Sequence, residues 1–173
     1  MPLGLSIRWH GDPPAAALPA LRFWHLDALA HEDFTAALED AFEKRGDPEF
    51  ALSWSGVAMA LSSRYDLAYM ADDLIGLGHW LCWPAEPHDF SLTVQGFHME
   101  AVAGLAGTSV DIEAVWKGAY RTPVERLAGH VSIERDAAIR AVGGLLGQLE
   151  QMLYLENRVY MPLSFVCRYL AAG

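Results

Sequence analysis

The chain has 173 residues, of which 53% are hydrophobic and 20% charged, a composition that excludes disorder and suits one domain over residues 1–173 with a sizeable core. Twenty-two acidic residues against twelve basic ones give a net charge of −10, which sets the surface against nucleic acid and anionic lipid and favours a basic protein partner. No apolar run reaches the ~20 residues of a membrane span, so no membrane partner is expected.

LSIRWHG at 5–11 alternates like a strand and stops at Gly11-Asp12-Pro13-Pro14. LPALRFWHLDAL at 18–29 fits a strand through Arg22–Leu26 or a helical turn, with the strand preferred. HEDFTAALEDAFEKRG at 31–46 reads as a helix, because Phe34, Leu38, Ala41 and Phe42 recur at helical spacing. Glu32 and Asp33 sit in its first turn, Lys44 and Arg45 in its last, and Gly46 follows as a stop. FALSWSGVAMAL at 50–61 alternates with a phase change at Gly56, which predicts a bulge or tight bend there.

YDLAYMA at 65–71 suggests a further strand, and a helix is expected to start at Asp72 or Asp73 as N-cap and to end at Pro84. DFSLTVQGFHMEAVAGL and TSVDIEAVW read as two strands joined by a turn in Gly104–Gly107, GAYRTPVERLAG as a surface loop and HVSIE as a short strand. DAAIRAVGGLLGQLEQMLYL is the longest predicted helix, with Ile139, Val142, Leu145, Leu146, Leu149, Met152 and Leu153 on one stripe. Gly143, Gly144 and Gly147 interrupt it and suggest close packing on a sheet. The tail MPLSFVCRYLAAG can form a last short helix from Pro162. The order of these segments predicts an α+β domain, an antiparallel sheet with helices packed mainly on one face.

The stretch GHWLCWPAEPHDF at 78–90 is the most chemically loaded. His79 and Cys82 are neighbours on the expected helix, but with His88 they offer three metal ligands at most, without paired spacing, and Asp89 lies beyond a proline turn. Cys82 falls near a helix C-terminus, where the dipole disfavours a thiolate, so a nucleophile is not expected. Phosphate loop, nucleophile elbow and His-Glu-x-x-His motifs are all missing. Glu100 and Glu113 read as exposed strand carboxylates and His98 as solvent-facing. No catalytic residue, metal or cofactor is therefore expected, and the chain is not expected to be an enzyme.

Asp72, Asp73 and Asp136 are explained by helix-dipole compensation, but Glu39, Asp40 and Glu43 are not. These three, with Trp80, Trp83, Glu86 and Asp89, form the expected partner-binding set, acids to pair with a basic surface and tryptophans to anchor it. The order WSGVAMAL, DDLIGLGHWL, FSLTVQG, SIERDAAIRAVGGLLGQLEQ resembles that of small bacterial proteins, some of them immunity proteins of polymorphic or contact-dependent toxin systems. The resemblance implies a non-enzymatic domain that binds and occludes a toxin. The alternative is a small-molecule-binding protein or enzyme with an aromatic-lined pocket of Trp54, Tyr69, Trp80 and Trp116, and a third reading is a homo-oligomer that buries its aromatic surface. MPLGLSIRWHGDPP lacks the regions of a signal peptide, and Cys82 and Cys167 make no disulfide framework, so a cytoplasmic protein is expected.

Overall fold

Alternating segments pair into two antiparallel sheets, and the helical-period segments cover their apolar faces. The computed structural model describes residues 3–18, 31–94, 96–118 and 127–163. The first sheet has the order β1 (Leu3–Arg8), β2 (Glu49–Trp54), β3 (Val57–Ser62). The second is a meander of β4 (His88–Val94), β5 (Phe97–Ala106), β6 (Ser109–Gly118) and β7 (His130–Glu134). The helices are α1 (His31–Lys44), α2 (Ala68–Cys82) and α3 (Arg135–Asn157). The fold is α+β, as the order of segments predicts.

The inward phase of each strand is apolar. Leu3 and Ile7 face Trp54 and Phe50 in register, and Leu92 and Met99 do the same in the second sheet. α1 buries Phe34, Leu38, Ala41 and Phe42, and α3 buries the whole stripe from Ile139 to Leu153 that its spacing marks out. These side chains belong to one contiguous core. Glu134 caps α3, its carboxylate accepting from the Asp136 N–H at 2.9 Å, and Arg158 ends it in the left-handed conformation at φ 58°.

Several expectations change. The phase shift at Gly56 is a two-residue hairpin turn, with Trp54 paired to Val57 and positive φ at Ser55 (50°) and Gly56 (86°), the backbone that type I′ turns require. The single strand expected from DFSLTVQGFHMEAVAGL is two, β4 and β5, which reverse at Gly96 (φ 134°) with Val94 paired to Phe97. The next reversal is at Gly107 (φ 66°), leaving Gly104 inside β5.

YDLAYMA is not a strand. Ser63–Leu67 forms a π-helical turn that runs directly into α2. Tyr65, Leu67 and Tyr69 alternate in sequence, but Leu67, Ala71 and Leu74 are buried at helical spacing and decide the conformation. Asp72 and Asp73 therefore lie a full turn inside α2 and do not cap it. The turn is held instead by Ser62, whose hydroxyl accepts from the Tyr65 N–H at 3.1 Å, and by Asp66, whose carboxylate accepts from the Ser62 N–H at 2.8 Å.

Close packing does not explain Gly144, since a Cβ there would meet nothing within 4 Å. The strand expected at Arg22–Leu26, most of the loop in GAYRTPVERLAG, and Cys167 with most of the tail lie outside the described residues.

Candidate functional site

α2 packs along β4, the edge strand of the second sheet. One face of the π-turn and α2 presents Tyr65, Tyr69, Asp72, Asp73 and Gly76, spaced by threes and fours. Opposite them stand His88, Asp89, Thr93 and Val94 of β4, and the two walls enclose a groove of about 750 Å³. Asp73 bridges the walls, its carboxylate accepting from the Ser91 N–H at 3.4 Å.

Through Asp89 and Thr93 the groove borders the outer face of the second sheet. Strand register sets its rows: Thr93, His98 and Lys117; then Ser91, Glu100 and Val115; then Asp89, Val102, Glu113 and His130. A second depression, of about 580 Å³, lies over the middle rows and shares Asp73 and Asp89 with the groove, so the two adjoin there. Val102 and Val115 stand exposed in it, at 43% and 58%. Both are apolar residues on the polar phase of their strands, a signal the sequence contains.

Glu100 accepts from Lys117 Nζ at 2.9 Å and contacts His98 Nε2 at 3.3 Å. The Lys117 hydrogen bond, and then that of His98, hold the Glu100 carboxyl below the usual carboxylate range. His98 Nδ1 also lies 2.7 Å from the Thr93 hydroxyl. His130 sits 3.9 Å from Asp111 and 4.0 Å from Glu113.

The expected partner-binding residues fall in two groups, one beside each end of α2. Glu39 reaches Tyr69, and its negative charge, followed by its hydrogen bond, raises the Tyr69 phenol above its ordinary range. Asp40 pairs with Lys44 at 2.6 Å and Glu43 with Arg64 at 2.9 Å, and the Arg64 guanidinium lies 5.3 Å from the centre of the Tyr65 ring. At the other end the Trp80 indole N–H donates to the Glu86 carbonyl at 2.6 Å and its ring stacks on His88. Trp83 is 59% exposed and Glu86 is exposed. Of the seven, Asp89 alone lines the groove.

The loaded stretch does not converge. His79 is exposed, Cys82 is buried, and the His88 ring lies parallel between Trp80 and Phe90 at centroid distances of 5.9 and 6.1 Å. Among the described residues no group of three or more His, Cys, Asp or Glu is placed to hold a metal ion. The aromatic residues considered for a ligand pocket are dispersed too. Trp54 packs edge-to-face on Trp116 at 5.2 Å, Trp80 stacks on His88, and Tyr69 alone of the four lines the groove. Comparison of the chain with protein-family models, curated proteins and solved structures returned no match. No helix among the described residues is long and apolar enough to cross a membrane.

Proposed function

We propose that the chain is a non-enzymatic protein-binding domain, an immunity protein that neutralises a toxin by covering it one-to-one in the cytoplasm. The observation that carries this reading is the outer face of the second sheet, where Asp89, Glu100, Asp111 and Glu113 surround the exposed Val102 and Val115. Apolar side chains in the middle with charge around them is the layout of a docking surface. Acids steer a basic partner into contact and fix its register, while exposed rings such as Trp83 and Tyr69 supply anchoring area.

The test uses the protein encoded beside this chain. Mixed as purified proteins, the two form a one-to-one complex by light scattering, and expression of this chain restores growth to cells producing its neighbour. Failure of both, with each protein folded by circular dichroism, overturns the proposal.

A further inference from the structure

We propose that the groove beside α2 and the outer sheet face act as a single trough that takes one extended arginine- or lysine-bearing protein segment across the β4 edge. This rests on the protein-binding reading and adds where the partner lies and what chemistry it brings. Cationic side chains sit between Tyr65, Tyr69, Asp73 and Asp89, and an apolar side chain sits on Val102 and Val115.

Adjacency is the first support, because Asp73 and Asp89 line both the groove and the depression over the sheet. Crossing from β4 to β6 takes about 10 Å at ~4.8 Å per strand, or about three extended residues at ~3.3 Å each, and the groove lengthens the path on the α2 side.

Charge complementarity names the occupant. Asp72, Asp73, Asp89 and Glu113 line the trough, and the remaining acid, Glu100, is offset by Lys117 at 2.9 Å, which leaves the acids in excess. A second copy of this chain is a poor occupant, since a two-fold contact sets a patch against itself and would place Asp89 and Glu113 against acids. Tyr69, 57% exposed, adds a ring face for a guanidinium, while Arg64 of this chain already lies over Tyr65.

The probe is a fluorescein-labelled peptide of about nine residues, arginine-rich in one half and valine-rich in the other so that either face of the extended chain carries both chemistries, titrated with the full chain by fluorescence anisotropy at physiological salt. The expected results are saturable binding, no binding of the matching glutamate–valine peptide, and about tenfold weaker affinity in Asp89→Asn/Glu113→Gln. Asp47→Asn/Glu49→Gln, which removes the same charge from the first sheet's end, stays within about twofold. On the unmutated protein, the methyl NMR signals of Val102 and Val115 shift as the peptide is added, a readout that needs no variant.

Equal losses in the two variants, binding of the acidic peptide, or unmoved valine methyls overturn the trough. If the neighbour-encoded protein forms its complex while the peptide does not bind, the protein-binding reading stands and this inference falls. If neither binds, both fall.

Discussion

Trp54 shows how much one buried side chain can connect. It is 1% exposed, its indole N–H donates to the Ala128 carbonyl at 2.8 Å, and the Trp116 indole donates to the same carbonyl at 3.2 Å. A carbonyl has two lone pairs, so it can accept from both rings. Trp54→Ala leaves a cavity between the sheets and should cost about 3–5 kcal/mol, read as a lower urea midpoint. Glu100 is the residue to follow with pH. Its folded pKa is depressed, so its contribution to stability is present above the unfolded value and is lost as pH falls through the folded one. Lys117→Met should move that folded value back up toward the ordinary carboxylate range and shrink the contribution, as a carbon NMR titration of the side-chain carboxyl would show. The exposure of Glu100 and Glu113 was legible in their strand phase. The role of Val102 and Val115 was not drawn from it, because an apolar residue in a strand is read first as core.

Among the elements, the helices were the most legible and the hairpins the least. In a two-residue hairpin the paired flanking residues share a face, so the inward phase jumps by three positions, from Trp54 to Val57 and from Val94 to Phe97. A phase jump beside a glycine therefore marks a hairpin, and reading one as a bulge and the other as an unbroken strand missed that rule. Gly56 has open space where a Cβ would go but φ of +86°, so Gly56→Ala should cost about 1–2 kcal/mol from backbone conformation alone, measurable by thermal unfolding. The π-turn was hidden because alternating tyrosines imitate a strand. Arg135 begins α3 and also finishes α2, donating from Nε to the Leu81 carbonyl at 2.7 Å and from Nη2 to the Cys82 carbonyl at 2.9 Å. Arg135→Met removes both bonds and should destabilise the fold by about 1.5–3 kcal/mol in denaturant titrations.

For the molecule as a whole, the net charge of −10 acts at a distance. Association with a basic partner should slow about tenfold or more as salt rises from low to high ionic strength, while dissociation changes little. Replacing Glu39, Asp40 and Glu43 together by lysine should slow association in the same way by stopped-flow, and a salt-independent rate would remove the electrostatic part of the proposal. The division into two sheets was not legible, because it depends on which strands pair across the helices, and no local pattern encodes that choice. The place where the sheets meet carries a consequence of its own. Two indoles held edge-to-face at 75° have coupled electronic transitions, so the near contact of the sheets writes itself into the circular dichroism of the native protein. Any event that parts the sheets should erase that signal, giving an intrinsic optical gauge that needs no label.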